Sequence, residues 1–118
     1  MTIYHLILNL RRMADLRQPL LWTVIFSRKA DKQKNALPPD IAEALYLLRK
    51  DLEMRGPTVS RWPHYGRIAG SKSGHYHCHL NKGRPTYVVV WQIVNQTIRV
   101  LEIQFVGTHE KVNYRRFK

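Results

Sequence analysis

The spacing of apolar residues changes several times along this chain, and each change marks an element. Ile3, Leu6, Ile7, Leu10 and Met13 recur at helical spacing, which predicts either a docked amphipathic helix before Pro19 or a loosely held extension, with Met13 available as an internal start. Residues 20–26 are continuously apolar or β-favouring and read as a first strand. Ser27 offers an N-cap for a short basic helix running to about Leu37. Pro38 and Pro39 end it. Pro39 suits the first turn of a second helix, and Asp40 and Glu43 stand near that helix's positive end. Ile41, Leu45, Leu48 and Leu52 then form one stripe, predicting an amphipathic helix over 39–55 that stops at Gly56-Pro57.

Beyond Gly56 the period shortens to that of strands. Residues 58–74 are polar, aromatic and glycine-containing, and read as a loop with room for a short strand around 67–69. A meander follows: a strand at 75–81, a turn at Lys82-Gly83-Arg84-Pro85, a strand at 86–94, a tight turn at Asn95-Gln96 and a last strand at 97–106. Residues 87–91 are apolar on both faces, as an interior strand requires. The expected fold is α+β, with two helices packed on one face of a curved, mainly antiparallel four-stranded sheet in the order β-α-α-β-β-β. With 118 residues, 44% of them hydrophobic, the chain holds one core: residues 1–19 form an extension and 20–118 the domain. The face of the sheet away from the helices is left open for chemistry.

Charge narrows the chemistry. Twenty Lys and Arg against eight Asp and Glu give a formal net charge of +12, which favours a polyanion or an acidic protein as partner. The basic residues are spread along the chain among aromatics, unlike the single basic face of a membrane-surface helix. No stretch approaches the roughly 20 apolar residues that span a bilayer. The first residues lack the charge pattern and cleavage site of a signal peptide. The single cysteine, Cys78, rules out an internal disulfide and fits a reducing compartment, so the expected location is the cytoplasm.

Three constellations carry candidate chemistry. In His75-Tyr76-His77-Cys78-His79-Leu80, strand alternation puts Tyr76, Cys78 and Leu80 towards the helices and His75, His77 and His79 on the open face. Three alternating imidazoles also invite a metal, but no Cys pair or carboxylate lies nearby in sequence, and Lys72, Lys82 and Arg84 would repel a dication. No metal or cofactor is expected. In Gly107-Thr108-His109-Glu110-Lys111-Val112-Asn113-Tyr114, the glycine lets the chain turn, places His109 at the sheet edge and brings Tyr114 back over it. In Arg61-Trp62-Pro63-His64-Tyr65-Gly66-Arg67, rings that can stack on bases alternate with charges that can hold phosphates, although Trp62 could equally plug the core.

Together these groups suit cleavage of RNA by its own 2′-hydroxyl. That reaction needs a base for the hydroxyl, an acid for the departing 5′-oxygen, and cations around the phosphate, here supplied by Arg84 and Lys82. Histidines, with an ordinary pKa near 6.5, serve as both base and acid without a metal.

Over residues 20–114 the chain resembles the RelE superfamily of toxin–antitoxin toxins, and within it the YafQ-like branch. The marks are WTVIFSRKADKQ in the first strand and helix, the Leu-rich second helix, GHYHCHL followed by TYVVVWQIV, and a last strand closing in FVGTHEKVNY. The resemblance implies a metal-independent endoribonuclease that cuts mRNA on the ribosome, against its 16S rRNA, and so inhibits translation. It further implies a monomeric toxin restrained by a cognate acidic antitoxin, and no membrane. By position, His109 corresponds to the YafQ-like histidine of the GTH motif, Tyr114 to the nearby C-terminal aromatic, His79 to the histidine ending the second strand, and His64 to the earlier loop histidine. Thr86 stands where YafQ-like toxins carry an aspartate, and Val88 where RelE carries an arginine; His77 or Arg84 could compensate. The working assignment is His79 and His109 as the proton-transfer pair in either order, with Tyr114 positioning the phosphate or base. RNA contacts are expected from Arg84, Lys82, Tyr87, Arg67, Lys72, Lys111 and Trp62. Two other readings remain: a ParE-like poison of DNA gyrase, and a non-catalytic RNA-binding module.

Overall fold

A computed structural model describes residues 21–118 together with Ile3, so the extension at 1–19, that residue apart, lies outside the described residues. The chain forms strand β1 (Thr23–Phe26), helices α1 (Arg28–Lys34) and α2 (Pro39–Arg55), strands β2 (Gly66–Arg67), β3 (His75–His79), β4 (Tyr87–Asn95) and β5 (Val100–Thr108), and a closing 3₁₀ turn (Tyr114–Phe117). One sheet runs in the order β1-β5-β4-β3-β2, with β1 parallel to β5 and every other pairing antiparallel. The expected α+β class and helix–helix–meander order hold. The sheet has five strands, not four, because Gly66 and Arg67 pair with His77 and Tyr76 and extend it by one short edge strand.

Both helices begin and end where local chemistry dictates. The Ser27 hydroxyl accepts from the Ala30 N–H at 3.1 Å and caps α1. That helix ends at Lys34 and a turn carries the chain to Pro38, so it is shorter than the expected run to Leu37. In α2, Pro39 occupies the first turn, and Ile41, Leu45, Leu48 and Leu52 are buried against the sheet. Gly56 closes it at φ +83°, where a Cβ would lie 2.7 Å from the Trp22 indole nitrogen.

β4 is central and buried on both sides. Val89 and Trp91 join the helix-side core with Cys78 and Leu80, while Val88 and Val90 face the other way with Ile68 and Phe105. Trp91 is fully buried, and its indole N–H donates to the Pro57 carbonyl at 3.1 Å, so its polar edge is satisfied. The face opposite the helices is not wholly open, contrary to expectation. Val112, Tyr114 and Phe117 fold back over it and form a second, smaller core. The chemistry is therefore confined to what this C-terminal segment leaves uncovered.

The β4–β5 connection also differs from expectation. Residues 96–99 form the turn, so β5 starts at Val100 rather than at Thr97. The Asn95 side chain accepts from the Ile98 N–H at 3.1 Å, and Arg99 takes a left-handed φ of 55°, together making a longer loop than Asn95-Gln96 alone.

Candidate active site

β3 delivers its side chains as strand parity requires. Tyr76, Cys78 and Leu80 pack on the helix-side core, and the histidines take the opposite face. Burial pushes the Cys78 thiol up to about 12, so this cysteine is an inert core group. His77 and His79 open into a cleft of about 460 Å³ that is also lined by His64, His109, Tyr114, Ile68, Ala69 and Lys118. All five residues proposed for catalysis thus meet in one place, although three separate segments supply the partners of β3.

The cleft is organised by ring contacts. The Pro63 carbonyl accepts from the His79 N–H at 2.7 Å and ties the preceding loop to the end of β3. His64, next in the loop, adopts φ 54° and lays its imidazole on that of His79, with centroids 4.1 Å apart and planes 24° from parallel. His109 approaches His79 edge to face at 5.5 Å. It sits at the C-terminal end of β5, an interior strand rather than the sheet's edge, where its N–H donates to the Thr86 carbonyl at 2.7 Å. Tyr114 closes the wall, 5.5 Å from His77 and 6.5 Å from His109. Its hydroxyl belongs to a ring set into the second core, and burial, followed by the Cys78 thiol, raises its pKa. It is a neutral O–H donor at physiological pH.

Two of the clustered imidazoles, His77 and His79, resist protonation. Burial first, then the charges His64 and His109 would carry, lower the pKa of His77; the same causes, with His77 added, lower that of His79. His77 lies deeper than the others, and its Nδ1 is buried without a hydrogen-bond partner. His77 and His79 are thereby held as neutral bases in a site whose surroundings attract anions.

His75 leaves the row despite its matching parity. Its side chain is held by Ser71 at 2.7 Å through Nδ1 and by Gln104 at 3.0 Å through Nε2. The Gln104 amide nitrogen donates to Gln92 and to the Glu102 carboxylate, so the Gln104 oxygen faces His75. His75 Nε2–H must therefore donate, which leaves Nδ1 to accept from the Ser71 hydroxyl. Only 9% exposed, with its pKa lowered chiefly by burial, His75 is a structural histidine outside the cleft. Among the described residues, no three His, Cys, Asp or Glu side chains are grouped so as to hold a metal ion.

The residues expected to contact RNA are dispersed. Arg84 lines a second cleft of about 200 Å³ with Pro85, Thr86, Thr108, His109 and Glu110. Tyr87 shares the helix-side face with Val89 and Trp91, and it lines a separate groove with Gln33, Leu37 and Lys111. The Trp62 indole N–H donates to Asp51 at 2.8 Å and its ring packs on the core, which is the plug arrangement. Arg67 is exposed on β2 opposite Tyr76, and Lys72 and Lys82 are exposed on loops. Lys118, which no pattern in the sequence singled out, reaches the histidine cleft from the C-terminal segment.

No protein-family model matches the chain, and no curated protein does. Solved structures do. A chain of the archaeal RelE–RelB complex from Pyrococcus horikoshii matches with a TM-score of 0.61 and 16% identity, over 77% of this chain and 98% of that one. A doubly substituted E. coli toxin RelE in the free state matches with a TM-score of 0.61 and 16% identity, over 82% of this chain and 93% of that one. The YoeB dimer from Staphylococcus aureus gives a TM-score of 0.59 and 13% identity, over 75% of this chain and 97% of that one. At such identities the likeness is one of fold. Among the described residues no helix is long and apolar enough to cross a membrane.

Proposed function

We propose that this chain, whose fold is RelE-like, is the toxin of a toxin–antitoxin pair and a metal-independent endoribonuclease that cleaves mRNA on the ribosome. The observation that carries this reading is the meeting of His64, His77, His79, His109 and Tyr114 in one cleft on a protein of net charge +12. A gyrase-binding surface or a passive RNA-binding module has no use for four imidazoles held near one another.

His79 is the base in this proposal. Surrounded by His64, His77 and His109, it is kept neutral and takes the proton of the RNA 2′-hydroxyl. The freed 2′-oxygen attacks the adjacent phosphorus. The P–O5′ bond then breaks and the 5′-oxygen leaves with a proton from His109, which is exposed at the strand end and can be reprotonated from solvent. The products are a 2′,3′-cyclic phosphate and a 5′-hydroxyl. The Tyr114 hydroxyl donates to a non-bridging oxygen, and the Lys118 ammonium offsets the added charge. An acidic antitoxin is the expected restraint, since a free surface of this charge binds nucleic acid indiscriminately. The Pyrococcus neighbour stands in complex with RelB, which supports a partner of this kind.

The test is induced expression of wild type beside His79→Ala/His109→Ala, with growth followed and mRNA 5′ ends mapped. Arrest with new in-frame ends for wild type alone is the expected result. Arrest by both proteins without new ends would overturn the nuclease reading.

A further inference from the structure

The outer face of α2 is apolar where a solvent-facing helix is ordinarily polar. Ile41, Leu45, Leu48 and Leu52 are buried against the sheet, and at 3.6 residues per turn Tyr46, Leu47, Lys50 and Met54 stand on the opposite side. Tyr46, Leu47 and Met54 are each more than half exposed. Lys50 is engaged within the helix, its ammonium 5.4 Å from the Tyr46 ring centroid and 3.6 Å from the Glu53 carboxylate. The face is also the wrong sign for RNA or for an acidic protein. Asp40, Glu43, Asp51 and Glu53 outweigh Arg49, Lys50 and Arg55, which leaves α2 at −1 on a chain of +12.

The same chain carries a segment that complements this face in pattern, charge, position and length. Ile3, Leu6, Ile7, Leu10 and Met13 recur at helical spacing, and Ile3 is itself more than half exposed. Arg11, Arg12 and Arg17 against Asp15 give residues 1–20 a charge of +2. They join the domain at Leu21, another exposed apolar residue, beside the last turn of α2, where the Trp22 N–H donates to the Glu53 carbonyl at 2.8 Å. As a helix, residues 3–13 would span about 15 Å, against about 12 Å from Tyr46 to Met54, and residues 14–20 reach about 20 Å when extended. We propose that residues 1–20 cover the outer face of α2, with the stripe from Ile3 to Met13 packed on Tyr46, Leu47 and Met54. The contact lies on the helix side of the sheet, away from the histidine cleft, so the inference stands apart from the RNA-cleaving reading. A chain begun at Met13 would lack the stripe and leave this face bare.

The test is limited trypsin digestion of the full chain, with cuts at Arg11, Arg12 and Arg17 followed by mass spectrometry. In wild type these sites should be protected, because cutting requires the segment to leave α2. Tyr46→Glu/Met54→Glu should speed cutting there by about tenfold, with tryptophan fluorescence showing the domain still folded. Leu6→Glu/Leu10→Glu, which lies outside the domain and leaves its core untouched, should do the same. All four changes together should add little to either pair, since each already breaks the one contact. Cutting as fast in wild type as in the variants would overturn the inference, and so would accelerations that multiply in the combined variant. A wild-type dimer that Tyr46→Glu/Met54→Glu dissociates, with the arginines cut equally fast in both, would overturn it in favour of a second copy. Loss of antitoxin binding in that variant, again with unchanged cutting, would overturn it in favour of the protein partner.

Discussion

The imidazole of His64 lies flat against that of His79, 4.1 Å between centroids, and the two cannot both carry a proton without strong mutual repulsion. Burial and these neighbours lower the pKa of His79, so its neutral form persists below the ordinary histidine value near 6.5. The acid limb of kcat/KM should accordingly fall below that value. In His64→Ala, which removes one neighbouring charge and uncovers the ring, the limb should move up towards it. A pH–rate profile on ribosome-bound mRNA measures this, and a limb that stays in place would assign the base to another group.

Tyr114 has two roles that one pair of substitutions separates. Tyr114→Phe keeps the ring over Ile68, Val88 and Val90 but deletes the hydroxyl, and should lower kcat about a hundredfold with no change in melting temperature. Tyr114→Ala should also cost about 2–4 kcal/mol of stability by opening the second core. Single-turnover cleavage beside thermal unfolding distinguishes the two effects. Full activity of the Phe variant would remove the hydroxyl from the mechanism.

Trp62 is expected to matter for folding and not for RNA. Trp62→Phe removes the donor to Asp51 and should destabilise the chain by about 1–3 kcal/mol in urea unfolding. RNA affinity should stay within about twofold of wild type. A large loss of affinity with unchanged stability would restore Trp62 as a stacking residue.

Acid should weaken the fold. His75, His77 and His79 all have pKa values lowered in the folded chain, so the unfolded chain binds more protons below about 6.5. Their contribution to stability is complete above that pH and is lost as pH falls through the folded-state values. Urea midpoints should drop between pH 7.5 and 5.5. The drop should be shallower in His75→Gln, which cannot titrate, even though that variant is less stable at pH 7.5 for want of the Ser71 and Gln104 contacts. A midpoint independent of pH would contradict the buried, neutral state of these rings.

Much of this arrangement is legible in the residues themselves, for identifiable reasons. Strand parity alone sends Cys78 inward and His77 and His79 outward, and the Leu stripe with Pro39 and Gly56 bounds α2 at the observed residues. Parity also places Tyr87 with Val89 and Trp91, away from the histidines. What stays hidden depends on partners remote in sequence. Nothing in the run from His75 to His79 marks His75 as different, because Gln104 on β5 holds it. The second core is invisible for a similar reason: Val112, Tyr114 and Phe117 follow no strand or helix period and acquire meaning only over Val88 and Val90. The longer turn at 96–99 turns on one Asn95 hydrogen bond and a left-handed Arg99 that local composition does not announce.

The parallel pairing of β1 with β5 has a kinetic consequence. Thr23 meets Val100, and the Ser27 hydroxyl reaches the Gln104 carbonyl across 77 positions of sequence, so the first strand has no sheet partner until the last one exists. Loops of that span close late, and chains dominated by such contacts fold on the millisecond-to-second scale rather than in microseconds. Until closure, β5 has one bare edge and the meander that carries the histidines is incompletely packed. Catalytic competence should therefore appear in step with global folding during refolding, with no partially folded species able to cut.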